Sequence, residues 1–237
     1  MTLTAMTHDD LLYGHDLASQ LDTHGVALLP GLLSPAYCNQ ITRMYAEQSR
    51  FRSRVVMHRH GFGRGEYQYF NYPLPPLVQQ LRTSLYPQLA EVANRWNQAL
   101  EMESRFPADH AHYLERCHAA GQRRPTPLLL QYSEGDYNCL HQDLYGELVF
   151  PLQATVLLSD PARDFSGGEF MLVEQRPRMQ SRGEVVPLAR GDAVLFAVNQ
   201  RPAKGTRGWH RTAMRHGVSS LRRGERFTLG IIFHDAA

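Results

Sequence analysis

The sequence predicts an α+β protein: a double-stranded β-helix, or jelly roll, as the core, with N-terminal helices packed on one outer face. Three observations carry this. Helical periodicity is concentrated before residue 120. After residue 125 the chain turns into short β-rich runs separated by Gly, Pro and Asp turns. Sheets built this way must close or cover their edges, and a two-sheet roll with helices on one side does so with this element order.

The helices come first. From Asp9 to Leu21 apolar residues recur at helical spacing, and 25–30 (Gly-Val-Ala-Leu-Leu-Pro) then reads as a short buried strand. Ser34 is a good N-cap with Pro35 at the first helical position, followed by a stripe of Tyr37, Ile41, Met44 and Tyr45. Further helices are expected at about 77–100 and 108–119. Strands are expected at 128–132, 148–158, 168–173, 184–188, 193–198 and 227–233.

With 237 residues, the chain fits one domain over 1–237: a mainly helical part to 120, with a lid over 50–72, and a jelly-roll core over 125–235. Hydrophobic residues make up 43% and charged residues 20%, with no apolar stretch of the roughly 20 residues a membrane span needs. Met1 to Gln20 has no basic start followed by an apolar run and a cleavage site, so the expected location is cytoplasmic. Cys38, Cys117 and Cys139 are odd in number and far apart, which suits reduced thiols. A net charge of +2 is too small to announce a nucleic-acid binder, although 50–64 and 201–226 are locally basic. Lys204 is the sole lysine, which argues against lysine-based covalent chemistry.

The most informative tripeptide is His141-Gln142-Asp143. Side chains two apart on an extended chain project to the same side, so an imidazole and a carboxylate can reach one ion. His216 supplies a second imidazole, and Arg226 follows it by ten residues at the start of the last apolar strand. Two imidazoles and one carboxylate on one face of Fe(II) leave positions open for a chelating co-substrate and O2, which a filled tetrahedral site would not. 2-Oxoglutarate chelates through its keto-acid end, so its far carboxylate needs a partner deep in the barrel, and a guanidinium can pair with it bidentately. Arg226 suits that role. Thr228 faces the same way and can add a hydrogen bond, and Tyr132 is a further donor; both also read as ordinary sheet residues. His210 competes with His216, but its tenth residue onward is Ser220 rather than an arginine. His58, His60, His110, His112 and His118 are expected in solvated or capping roles, and His234-Asp235 in a supporting or structural one.

These motifs resemble the jelly-roll Fe(II)/2-oxoglutarate oxygenase superfamily, in the prolyl-hydroxylase-type order HxD, distal His, Arg. A closer resemblance is to a bacterial family of predicted oxygenases acting oxidatively on damaged, methylated nucleic acid. It is carried by 63–70 (GRGEYQYF), 141–146 (HQDLYG), 167–170 (GGEF), 175–178 (QRPR), 190–194 (RGDAV) and 215–219 (RHGVS). The resemblance implies His141, Asp143 and His216 as iron ligands and Arg226 as the 2-oxoglutarate anchor, with Fe(II), 2-oxoglutarate and O2 as cofactors and no role for His210.

For the substrate, 50–72 interleaves Arg50, Arg52, Arg54, Arg59 and Arg64 with Phe51, Phe62, Tyr67, Tyr69, Phe70 and Tyr72, the mixture that single-stranded nucleic acid asks for. Gly61, Gly63 and Gly65 would let this segment close as a lid; the alternative is a solvated loop whose aromatics cap the barrel. Arg64, Tyr67, Tyr69 and Arg215 are the expected substrate contacts, and Arg201, Lys204, Arg207, Arg211 and Arg215 are expected around the site mouth. Three functions stay open: oxidative demethylation of damaged nucleic acid; hydroxylation of a protein side chain or small metabolite; and a non-catalytic, cupin-like metal-binding protein.

Overall fold

The computed structural model describes residues 16–237 apart from 145, 162 and 207. Residues 9–15 of the expected first helix, Tyr145 of the HxD motif and Arg207 of the expected basic rim thus lie outside the described residues.

Each helix begins or ends where local chemistry requires. Helix α1 (Leu17–His24) starts at Asp16, whose carboxylate accepts from the Ser19 N–H at 3.1 Å, and stops at Gly25, which takes the left-handed conformation at φ 71°. Strand β1 (Val26–Leu29) follows at once. Helix α2 (Pro35–Met44) has Ser34 as N-cap and Pro35 in its first turn, as the sequence predicts. The long helix α3 (Pro76–Ala99) and the shorter α4 (His110–Ala119) complete the helical layer. None of the described helices is long and apolar enough to cross a membrane.

Among the described residues, thirteen of the fifteen strands make two main sheets. The larger has the order β1-β11-β7-β15-β5-β4-β2, built from β2 (Phe51–Val56), β4 (Glu66–Phe70), β5 (Leu128–Tyr132), β7 (Leu152–Leu157), β11 (Ala193–Ala197) and β15 (Arg226–Ile231) beside β1. The facing sheet runs β10-β9-β13-β6-β3, from β3 (Gly63–Arg64), β6 (Tyr137–His141), β9 (Phe170–Gln175), β10 (Arg182–Val186) and the long β13 (Gly208–Val218), with β12 (Gln200–Gly205) paired to β13. A two-stranded pair joins β8 (Phe165–Gly167) and β14 (Leu221–Gly224). The pairs within these sheets are antiparallel.

The period-2 alternation of the large sheet divides the molecule. Leu129, Ala154, Val156, Leu229 and Ile231 face the helices and join Leu81, Leu85, Leu89 and Trp96 in the main core. Their neighbours Leu128, Leu130, Gln153, Thr155, Thr228 and Ile232 face the other way, into the space between the sheets. One sheet thus has a helix-covered face that stabilises the fold and an inner face that holds a cavity.

Residues 50–72 differ from the expected lid. They form β2, β3 and β4, and β4 pairs with β5 inside the large sheet, so the first half of the chain contributes strands as well as helices. Gly63 (φ 129°) and Gly65 (φ 106°) are needed for close approach rather than for hinging: a Cβ on Gly63 would lie 2.4 Å from the Tyr137 carbonyl oxygen, and one on Gly65 3.0 Å from the Tyr132 ring. His110 is a second difference. It is buried, and its ring Nε2 lies 2.8 Å from the Phe233 carbonyl oxygen, so it packs within the fold.

Candidate active site

Strand pairing sets His216 on β13 directly opposite His141, the last residue of β6. Two residues on, Asp143 turns its carboxylate between the two rings. Its Oδ1 lies 3.3 Å from His141 Nε2 and its Oδ2 3.3 Å from His216 Nε2. All three side chains offer a ligand atom within 4.8 Å of the others. Donors bonded at about 2.1 Å to neighbouring octahedral corners sit about 3 Å apart, so this spacing matches three ligands on one face of a single cation.

The surroundings fix how each group presents itself. His141 Nδ1 is 2.8 Å from the Cys139 carbonyl oxygen, which can only accept; Nδ1 therefore carries the proton and Nε2 keeps its lone pair toward Asp143. Gln153 on β7 donates from Nε2 to Asp143 Oδ2 at 2.9 Å. His216 is buried against the Phe170 and Phe196 rings, and burial lowers its pKa, which favours the neutral imidazole a metal requires. Burial alone would raise the Asp143 pKa, but the two imidazoles beside it, whenever either carries a proton on Nε2, hold the carboxyl well below the usual carboxylate range. Against the effect of burial, Asp143 raises the His141 pKa, so a metal ion would displace a proton there; two imidazoles and an anionic carboxylate are then a donor set suited to Fe(II).

Arg226 opens β15 and points into the same cavity, which has a volume of about 240 Å³. Only 1% of the residue is exposed, yet its Nε and Nη1 have no hydrogen-bond partner. The nearest favourable neighbours are the faces of Tyr132, at 5.6 Å, and Phe165, at 5.9 Å. Burial pushes the guanidinium pKa down to about 10, still high enough for it to stay charged. The Tyr132 hydroxyl is buried beside Asn138, its pKa raised to about 12 by burial. Thr228, two residues after Arg226 and on the same face, lines the cavity. A buried cation with unpaired donors is costly unless an anion completes it.

The expected residues therefore divide. His141, Asp143, His216, Arg226, Thr228, Tyr132 and Tyr67 share one cavity. Arg64, Tyr69 and Arg215 are not on its wall. Arg64 is exposed on β3, and Tyr69 is buried beneath the Arg52 guanidinium, 4.4 Å from its ring centre. Arg215 is exposed because strand alternation sends it to the face opposite His216. His210 lies six residues before His216 on the same strand, about 20 Å away along it, too far to share an ion. Sequence reasoning missed Gln153, Asn138 and Leu144 on the wall, because single polar or apolar residues in strands and loops carry no pattern.

Residues 65–236, which include every residue of the cavity except Phe62, match the model of a family described as "Oxygenase, catalysing oxidative methylation of damaged DNA". The chain belongs to this oxygenase family. An uncharacterised protein of Mycobacterium tuberculosis strain H37Rv is 50% identical over 168 residues, covering 71% of this chain and 72% of that protein. Among solved structures, a Pseudomonas putida prolyl-4-hydroxylase superposes with a TM-score of 0.52 at 16% identity, covering 90% of this chain and 94% of the other. An oxidoreductase of the 2OG-Fe(II) oxygenase family from Burkholderia pseudomallei gives 0.51 at 17% identity, covering 94% and 92%. These likenesses show that the oxygenase has the jelly-roll fold expected from its sequence.

Proposed function

We propose that this oxygenase is a 2-oxoglutarate-dependent Fe(II) dioxygenase that oxidises methylated, damaged nucleic acid. The observation that carries the reading is Arg226, a buried guanidinium whose Nε and Nη1 have no partner, sharing one cavity with the His141–Asp143–His216 trio. A structural arginine has its charge met by the protein, as Arg82 is met by Asp235 and Arg201 by Glu174. This one awaits a carboxylate.

His141 Nε2, an Asp143 oxygen and His216 Nε2 would hold Fe(II), and Arg226, with the Tyr132 and Thr228 hydroxyls, would bind the far carboxylate of 2-oxoglutarate. With iron, O2 and 2-oxoglutarate bound, the site supplies the oxidising power to convert a substrate C–H into C–OH, with 2-oxoglutarate leaving as succinate and CO2. Gln153 keeps the Asp143 carboxylate aimed between the imidazoles. Leu128, Leu130, Phe170, Phe196 and Ile232 make the cavity wall apolar and keep bulk water from the reacting atoms. At the mouth stand Leu144, 51% exposed, and Phe62, 47% exposed and stacked on His60 at 5.3 Å, a ring face on which a base can lie.

The family description supports damaged DNA as the substrate. An enzyme of this type attacks a methyl carbon rather than adding one: hydroxylation of an N-methyl group gives a hemiaminal that collapses with loss of formaldehyde. The testing experiment supplies the iron-loaded protein with 2-oxoglutarate and methylated oligonucleotides, with peptides and metabolites as alternatives, and follows succinate and formaldehyde. Formaldehyde in step with succinate on methylated oligonucleotides is expected, and Asp143→Ala should form neither. Succinate coupled instead to stable hydroxylation of a peptide or metabolite would replace the substrate assignment while keeping the chemistry.

A further inference from the structure

The 175–178 motif (Gln-Arg-Pro-Arg) has no part in the cavity just described. It follows β9 and forms one wall of a second, open cleft of about 510 Å³, whose other side is Arg211 and Ala213 on β13 and Asn199 and Gln200 before and within β12. The two spaces meet at Gln142. This residue lies between the ligand pair His141 and Asp143 and lines both; its Nε2 donates to the Asn199 and Met214 carbonyls at 2.8 Å each, which fixes the partition between them.

The turn carrying the two arginines is built. Gln175 Nε2 donates to the Met179 carbonyl at 2.7 Å and Ser181 Oγ donates to Gln175 Oε1, clasping 175–181 into a loop. Arg178 stands in this loop at φ 62°, a left-handed conformation that a non-glycine residue adopts at some cost. Arg176 is held by Glu174, with Nε 2.5 Å from Oε1. Arg178 and Arg211 make no ion pair with any described residue, and no described carboxylate lines the cleft. Two unpaired guanidiniums and several amides in a solvent-open groove, with no acid among the lining residues, form a surface for an anion longer than the groove's own polar groups.

We propose that this cleft carries the phosphodiester backbone of a single-stranded nucleic acid whose modified base enters the iron cavity past Gln142. The assignment rests on the reading of the site as a nucleic-acid oxygenase. Arg178 and Arg211 pair with successive phosphates, and the Gln175, Asn199 and Gln200 side chains supply sequence-independent contacts to sugar and phosphate. Of the basic rim expected at 201–215, Arg211 lines this cleft beside the 175–178 motif, whereas Arg201 is buried and paired with Glu174 at 2.6 Å.

The test is binding of a fluorescent ten-nucleotide single strand by anisotropy over a range of salt, on full-length protein with no iron or 2-oxoglutarate added, so that it is independent of turnover. Neutralising either arginine, as Arg178→Gln or Arg211→Gln, should weaken binding several-fold and lower the salt slope by about 0.7. The double variant should lose on the order of tenfold. Arg178→Lys should recover most of the slope, and Arg43→Gln, on helix α2, should bind as wild type. All are exposed positions, and melting temperatures matched to wild type confirm that they fold. A double variant within twofold of wild type overturns the cleft assignment, as does a nucleoside monophosphate that binds as tightly as the ten-mer. Failure of the oxygenase reading itself would show separately, as absence of 2-oxoglutarate-dependent succinate whatever the strand affinity.

Discussion

Three arginines among the described residues, Arg82, Arg201 and Arg226, are almost completely buried, and the fold treats the first and the last in opposite ways. Arg82, on helix α3, is 0% exposed and every part of its guanidinium is used: Nη2 meets Asp235 Oδ1 at 2.8 Å and the His234 carbonyl at 3.0 Å, Nε the Ile232 carbonyl at 2.8 Å, and Nη1 the Tyr72 hydroxyl at 3.0 Å. Arg226 is 1% exposed and has Nε and Nη1 without partners. The first ties the helical layer to the end of the chain. The last faces a cavity that the His-Asp-His trio also faces. The difference is that a carboxylate meets the charge of Arg82 within the fold and none is hydrogen-bonded to Arg226, which is what the proposed ligand role of Arg226 draws on.

The largest expected effect is on the satisfied side. Arg82→Ala removes the guanidinium paired with a fully buried Asp235 carboxylate, leaving it with the Tyr72 hydroxyl and the His118 ring, and should cost on the order of 3–5 kcal/mol, lowering the melting temperature by roughly 10 °C or leaving the protein insoluble. Arg226→Met removes an unpaired buried charge and should melt at or above the wild-type temperature. Equal destabilisation by both substitutions would erase the distinction.

Acid should act on the same satisfied region. His110, which contacts Phe233, and His234 both have pKa values lowered to about 4, first by burial and then by the Arg82 charge. A histidine depressed in the folded state takes up its proton more readily when unfolded, so stability is full above the ordinary pKa of about 6.5 and falls as pH drops from there toward 4. The loss should reach about 3 kcal/mol per histidine at most. Denaturant melts at pH 7 and pH 4.5 measure it, and His110→Gln should reduce the difference. A flat profile would mean that these rings are not held neutral.

Much of this was legible in the sequence because chemistry with strict geometry leaves strict spacing. His141 and Asp143 two apart, and His216 and Arg226 ten apart, are positions that strand alternation and one sheet crossing convert directly into a shared cavity. Ser34, Pro35 and Gly25 likewise marked helix ends by local backbone chemistry alone. Strands β2, β12 and β13 were not legible, since 51–56 (FRSRVV) and 208–218 (GWHRTAMRHGV) carry arginines on their outer faces and lack the apolar density of a buried strand. That also explains the lid expectation for 50–72: a basic, glycine-bearing segment reads as a loop, and only its pairing with β5 and β6 makes it sheet. Arg215 was drawn into the site because charge patterns along a chain do not reveal which face a strand presents.

A smaller effect sharpens the ligand side. Gln153→Leu keeps the fold but removes the donor to Asp143 Oδ2, and metal affinity should fall by about 10–100-fold with little change in melting temperature. Unchanged affinity would show that the carboxylate is aimed by the imidazoles alone.

The most direct test is calorimetric titration of 2-oxoglutarate, without oxygen, into wild type and Arg226→Met loaded with Fe(II). The account predicts that both variants hold the metal equally and that 2-oxoglutarate binds the wild type at least about 100-fold more tightly, because a buried charge-assisted pair is lost. Equal 2-oxoglutarate affinity in the two proteins would contradict it.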